Sequence, residues 1–313
     1  MRRVIASRLL MAFPVLFLMT FITYLLVSLI PGNAAVVILG QDATPEKVAA
    51  LSAQMHLDQP FYVQWWYWIQ GVPHGDLGTS LYSGQPVTTL LAQRILPTVF
   101  VAGFATILGA IVGIALGTWA AIRRGAAGKL LDTVAMLGIA LPNFWFALLL
   151  IVIVSGQLKL LPPLGYTPPE QDIGAWLTQL ILPVSALGLA GVAIVAKQTR
   201  DSMSEALSRD FMRFLQANGF SRRSLLYRHA PRYAAGPIAA AVLASFVSLF
   251  SGTVALEMIF AIPGLGSMVV TSTTQRDLVV IQGAVLAYTV VVLLATLLGD
   301  IVTINLNPKL RTR

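Results

Sequence analysis

The 313-residue sequence is 57% hydrophobic and only 11% charged, with a mean hydropathy of +0.78 and a formal net charge of +8. Soluble domains carry about a quarter charged residues, so this balance excludes an ordinary soluble core and points to several membrane spans. The positive charge then reads as membrane topology bias rather than as a nucleic-acid surface. The absence of cysteine excludes disulfides, thiolate zinc sites and a cysteine nucleophile, and His56, His74 and His229 are too far apart in sequence to suggest a shared metal site.

Arg2, Arg3 and Arg8 accompany an apolar run from Leu9 to Ile30. At 22 residues this run exceeds the about 7–15 of a signal-peptide core and lacks a cleavage site, so it reads as a retained first span entering from the cytoplasm. Residues 31–97 are soluble in character and are expected to form a small extracytoplasmic subdomain. Within it, Thr44 can cap, and Pro45 and Glu46 can open, a helix running to His56. An aromatic cluster follows at Gln64 to Ile69 (QWWYWI), then a Gly-rich turn at His74 to Ser80. Trp65, Trp66 and Trp68 suit an interfacial belt or packing of the subdomain better than aromatic ligand recognition.

A second span covers about 98–122 and places Gly109, Gly113 and Gly117 on one helical face, where another helix can approach closely. The third, about 131–156, is interrupted by Pro142-Asn143, which should kink it and free backbone groups. A Pro- and Gly-rich outside loop leads to span four, about 177–196, which carries Pro183. A basic segment occupies 197–233, span five about 234–258, an outside hairpin reaches Asp277, span six covers about 280–304, and 305–313 is a basic tail. Six spans put both termini on the cytoplasmic side. The predicted inner segments hold 17 of the 21 Lys/Arg, and only Lys47, Arg94, Lys159 and Arg276 lie outside, as the positive-inside rule requires.

No catalytic or phosphate-binding pattern emerges. There is no GxSxG or HExxH, and Gly125 to Leu130 has the wrong glycine spacing for a phosphate loop. Ionisable residues in spans are functional candidates because each is costly in hydrocarbon, and here they are Asp132, Glu257 and Asp300, all near span ends. Glu257 either lines a pathway or is a satisfied carboxylate at the outer end of span five. Asp300 suits pairing with Lys309 or Arg311. No mid-membrane carboxylate chain of a proton-coupled carrier is evident, which weighs against a stand-alone secondary transporter.

The basic segment has internal order. Met203 to Ala217 shows helical periodicity with Met203, Leu207, Phe211, Phe214 and Leu215 near one face. Asn218-Gly219 is a stop signal, Ser221 caps a second short helix from Arg222 to His229, and Pro231 limits it. Apolar residues amid arginines on such an element suit docking into a partner's groove, the alternative being a basic loop on anionic lipid.

Particular stretches carry a family likeness: IPGNAA at Ile30 to Ala35, LDQPFYVQWWYW at Leu57 to Trp68, GDLGTS at Gly75 to Ser80, LPNF at Leu141 to Phe144, RHAPR at Arg228 to Arg232, and EMIFAIPGLG at Glu257 to Gly266. With these the sequence resembles the permease subunits of ATP-binding-cassette importers, specifically the first permease of the dipeptide/oligopeptide/nickel transport family, over nearly its whole length. The resemblance implies an all-α membrane protein with the six-helix type I importer permease fold. It implies a non-catalytic subunit in a prokaryotic cell membrane, with a second homologous permease, two cytoplasmic ATPases that hold ATP and Mg, and an extracytoplasmic binding protein as partners. This chain itself is expected to bind no cofactor. The ATPase-coupling residues would be Asp210, Phe211, Arg213, Leu215, Ala217, Asn218, Gly219, Arg222, Arg223, His229 and Arg232, with Gly219 as the central glycine. Phe214, Leu215 and Asn218 stand where the family usually has two small residues and a lysine. Candidate pathway or gate residues are Pro142, Asn143, Ser248 and Glu257, and candidate binding-protein contacts are Asp76, Pro263, Gly264 and Gly266. Peptides are the expected substrate; nickel chelates, haem or glutathione are the alternatives within the family.

Overall fold

A computed structural model describes residues 2–29, 34–54, 56–123 and 125–306. Part of the IPGNAA stretch, Arg124, and the tail with Lys309 and Arg311 lie outside the described residues. The described chain is helical, with one isolated antiparallel bridge between Thr79 and Pro86. In order the helices are α1 (Arg2–Ser28), α2 (Ala34–Leu39), α3 (Pro45–Gln54), α4 (Phe61–Gly71), α5 (Val87–Arg123), α6 (Ala126–Ala140) and α7 (Asn143–Leu150). There follow α8 (Ile173–Ser208), α9 (Asp210–Ala217), α10 (Arg222–Ser224), α11 (Ala230–Phe260), α12 (Leu265–Gln275) and α13 (Leu278–Leu306).

Among the described residues five helices are long and apolar enough to cross a membrane: Ile5–Ser28, Val87–Arg123, Ile173–Ser208, Arg222–Phe260 and Leu278–Leu306. The expected third span differs in form. The chain breaks at Leu141-Pro142 into α6 and an apolar helix, Asn143–Gln157, and each piece is shorter than a span. Proline has no N–H to give and crowds the preceding turn, so Pro142 is extended and opens α7 instead of continuing α6. The end of this helix, Ile151–Gln157, is wound wider, with Leu158 N–H bonded to Ile153 C=O at 2.9 Å.

The chain packs as two units. The first comprises Val99–Ile262 and the chain from Ala295. Its core joins α5, α7, α8 and α11 through Val101, Ala105, Ala147, Leu187, Leu249 and Leu256. The glycine stripe acts as the spacing suggests. A Cβ on Gly113 would lie 2.8 Å from Val195 Cβ, and one on Gly117 would lie 2.4 Å from the Ala196 carbonyl, so α5 and α8 meet backbone to backbone. Asp172 caps α8, its Oδ1 accepting from Gly174 N–H at 2.8 Å and Ala175 N–H at 3.0 Å.

The second unit comprises Arg2–Thr98 and Pro263–Leu294. Here Trp65 and Trp68 of α4 are buried with Tyr24 of α1. Trp65 meets Phe17 edge-on with ring centroids 4.9 Å apart, so packing of the subdomain accounts for two of the three tryptophans. The hairpin that follows α11 is richer than expected. It contains the 11-residue α12, entered through Gly264 and left through Arg276, whose φ of 56° is left-handed.

Candidate functional site

The basic segment is built as two anchored arms joined by a tight turn. The sequence reading of one helix from Met203 to Ala217 is corrected: α8 runs on from the apolar core to Ser208, Arg209 is extended, and α9 starts afresh at Asp210. The break resets the helical phase. Met203, Ala206 and Leu207 of α8 and Met212 and Leu215 of α9 pack together with Leu225, Ala230 and Ala234. Phe214, placed by periodicity on the same face, is instead 68% exposed. Periodicity carried across an unseen break can assign a residue beyond it to the wrong face, as for Phe214, even where it places Leu215 correctly.

α9 ends in a Schellman turn. Phe220 N–H bonds to Leu215 C=O at 3.2 Å and Gly219 N–H to Gln216 C=O at 3.1 Å. Gly219 has φ of +83°, and nothing lies within 4 Å of where its Cβ would be, so the demand for glycine is conformational and leaves open space above it. Asn218 Nδ2 donates to Phe214 C=O at 2.8 Å, closing the last turn of α9. Ser221 Oγ then accepts from Ser224 N–H at 3.3 Å and opens the next helix.

That next helix does not stop at Pro231, a second correction. It runs continuously from Arg222 to Phe260. A widened turn at Leu225–His229 precedes the proline, with Ala230 N–H bonded to Leu225 C=O, and accommodates the ring that a regular turn would clash with. The whole element is thus the end of one apolar helix, a short helix, and the start of another.

Its surface combines aromatic rings and guanidinium groups. Phe211, Phe214, Phe220, Tyr227 and Tyr233 are exposed, and Phe211 and Tyr233 have centroids 5.6 Å apart. Arg209 pairs with Glu205 and lies 5.7 Å from the Tyr233 ring. The Glu205 carboxylate, and then Tyr233, push the Arg209 guanidinium further up, so it stays charged. Arg213 pairs with Asp210 at 3.6 Å on the exposed surface. Among the described residues Arg222, Arg223, Arg228 and Arg232 are exposed and form no ion pair. Asp210, Ala217 and Asn218 are exposed and Leu215 is half-buried. His229 is half-buried with its ring edge-on to Phe220 at 5.3 Å, which steadies the Gly219 turn. This composition, rigid aromatics beside arginines, is that of interface hot spots.

Two of the pathway candidates lie on helices that pack together. A Cβ on Gly252 of α11 would come within 3.5 Å of Asn143 Nδ2, at the start of α7. Ser248, one turn before Gly252 on α11, is exposed, as is Pro142. Glu257 sits apart, fully buried towards the end of α11, and its carbonyl accepts from Ile262 N–H at 2.9 Å.

Of the residues assigned to a binding-protein contact, Asp76 is exposed and shapes its own loop, Oδ1 accepting from Gly78 N–H at 2.8 Å. Pro263 is half-buried, while Gly264 and Gly266 are buried where α12 begins. Sequence reasoning missed three supporting residues. Asp277, 1% exposed, accepts from Ser80 Oγ at 2.5 Å and Tyr82 N–H at 3.3 Å, tying the GDLGTS loop to the hairpin before α13. Arg200 pairs with Asp132 and joins α8 to α6. Met212, 3% exposed, anchors α9. A lone acid beside Arg276 at a span end was the available signal for the first; the other two depend on contacts distant in sequence.

Residues 113–312 match the family model described as "Binding-protein-dependent transport system inner membrane component", and residues 1–102 match that of its N-terminal region. The chain is 34% identical over 312 residues to the probable peptide ABC transporter permease protein of Sinorhizobium fredii (strain NBRC 101917 / NGR234), covering 99% of this chain and 98% of the relative. It is 35% identical over 308 residues to the glutathione transport system permease protein of Salmonella typhimurium (strain LT2), covering 98% of each. The corresponding glutathione permease of Escherichia coli O6:H1 is 34% identical over 308 residues, again with 98% of each covered.

Proposed function

The chain belongs to the family of binding-protein-dependent transport system inner membrane components, and from that premise we propose that it forms half of the import pathway for peptides in an ATP-driven complex. The proposed complex has a second, homologous permease, two ATPases that hold ATP and Mg on the cytoplasmic side, and a binding protein outside. The α6–α7 pair crosses the membrane as one broken span, giving six, with both termini and the basic segment cytoplasmic; the 17 to 4 partition of Lys/Arg supports this orientation.

One observation carries the coupling role. The element from Asp210 to His229 is held from behind by Met212, Leu215 and Leu225 and presents aromatics and free arginines in front. Because α8 and α11 run directly into it, a push on this element reaches the apolar helices without a flexible linker. Docked in an ATPase cleft, it would transmit closure of the two ATPases into a swing of α8 and α11, alternating the pathway between inward- and outward-open states. Pro142, Asn143 and Ser248 are proposed to border that pathway. Both peptide and glutathione permeases stand among the relatives, and glutathione is itself a small peptide, so a peptide-type substrate covers both.

Gly219→Arg tests the coupling role. The side chain enters open space, so membrane insertion should persist, while ATPase co-purification and substrate-stimulated ATP hydrolysis should fall at least tenfold. Gly219→Asn tolerates the left-handed conformation and should keep both. Normal assembly and transport by Gly219→Arg would sink the coupling assignment.

A further inference from the structure

We propose that α4 is a membrane-seated helix whose Tyr62, Trp66 and Tyr67 face meets the lipid at the headgroup–hydrocarbon boundary, so that part of the predicted aqueous subdomain is embedded.

The argument begins with depth. Thr20 lies 11 residues beyond Leu9, where the apolar run of α1 starts, which puts it about 17 Å into a hydrocarbon layer about 30 Å thick. α13 gives an independent marker. Gln282 Nε2 donates to the Thr20 carbonyl at 2.7 Å, and the polar pair Arg276-Asp277 stands just ahead of α13. Gln282 is five residues beyond Asp277, so Thr20 lies about 7 Å below that polar end. Both measures place Thr20 inside the bilayer.

α4 is bound to α1 at this level. Trp65 Nε1 is 3.3 Å from Thr20 Oγ1, a buried hydrogen bond. Trp65 meets Phe17 and Phe21 with centroids at 4.9 and 5.3 Å, and Phe61 meets Phe21 at 5.7 Å. A helix gripping Phe17 and Thr20 cannot stand clear of a membrane that α1 crosses.

The other side of α4 is only partly covered among the described residues, His56 stacking on Tyr67 with ring centroids 5.8 Å apart. Tyr62, Trp66 and Tyr67, at i, i+4 and i+5, are 55%, 55% and 62% exposed and border a shallow groove. Three large rings in water would form an unusual exposed patch, and α4, FYVQWWYWIQG, carries no charge. Tyrosine and tryptophan, apolar in body with one polar tip, are the side chains the headgroup layer favours. α1 likewise leaves large apolar side chains uncovered, Phe13, Phe17 and Leu18 being 80%, 51% and 55% exposed. The orientation proposed above makes this the outer leaflet; the seating itself does not depend on it.

The native chain has no cysteine, so single cysteines can be introduced without other changes. Spin labels at Tyr62→Cys and, separately, Trp66→Cys would be read by power saturation in the full chain reconstituted in phosphatidylglycerol/phosphatidylethanolamine nanodiscs. Leu10→Cys on α1 is the lipid reference and Tyr82→Cys the water reference. The expected result is an oxygen-to-nickel-chelate collision ratio at both α4 positions several-fold above that of the Tyr82 label and close to that of the Leu10 label. A water-type ratio at both positions overturns the proposal, and so does a water-type ratio that is lost only when a binding protein is added, which would make the face a protein-docking surface. If Trp66→Cys fails to fold, the Tyr62 label reads the same face.

Discussion

The Ser80 hydroxyl donates to the buried Asp277 carboxylate at 2.5 Å across 197 residues of sequence. Around this bond the GDLGTS loop folds back, with Ser80 N–H on Gln85 C=O at 2.8 Å and Val87 N–H on Gly78 C=O at 3.0 Å. Asp277 also accepts from Val280 N–H at 3.3 Å, capping the first turn of α13. One carboxylate therefore sets both the loop and the start of the last long helix.

Ser80→Ala should leave that carboxylate buried with one partner fewer, costing about 1–3 kcal/mol. Thermal unfolding of the purified protein would register the loss as a lowered midpoint. Ser80→Thr keeps a hydroxyl and should recover part of it.

Gly117→Ala should destabilise by about 1–3 kcal/mol, because its Cβ would sit 2.4 Å from the Ala196 carbonyl and 2.6 Å from Thr199 Cβ, forcing α5 and α8 apart. Gly103→Ala on the same helix has nothing within 4 Å and should be neutral or slightly stabilising. Equal effects in a comparative melting experiment would contradict the backbone-to-backbone packing of α5 on α8.

Arg200→Ala should cost about 1 kcal/mol or less, since the Arg200 and Asp132 side chains are 25% and 38% exposed and partly screened. The loss should shrink in high salt. The double exchange Arg200→Asp with Asp132→Arg should restore part of it, which a double-mutant cycle would read as a coupling energy; additive effects would show the pair to be incidental.

Met212→Ala and Phe214→Ala, two residues apart on α9, should separate anchoring from docking. Met212 is 3% exposed, and its truncation should cost about 2–4 kcal/mol of stability. Phe214 is 68% exposed, and its truncation should leave stability within about 0.5 kcal/mol. It should nevertheless weaken ATPase co-purification about tenfold, as expected for an aromatic interface anchor. An unchanged co-purification yield for Phe214→Ala would remove this ring from the proposed interface.

Hydropathy alone located the apolar helices, because crossing a hydrocarbon layer demands apolar runs of this length. Local chemistry also settled the Gly219 turn and the Ser221 cap, since both are decided by neighbours within five residues. The glycine spacing foretold a close helix contact, though not that α8 would supply it. Tertiary structure decided the rest. The break at Arg209 lies between two segments that are each good helices, so no local preference marks it, and only the burial of Met212 shows which face turns inward. Pro231 looks like a helix stop until a widened turn upstream accommodates its ring. Asp277 and Ser80, like Arg200 and Asp132, are ordinary polar residues in sequence; a buried charge acquires its meaning from the partner that folding brings to it.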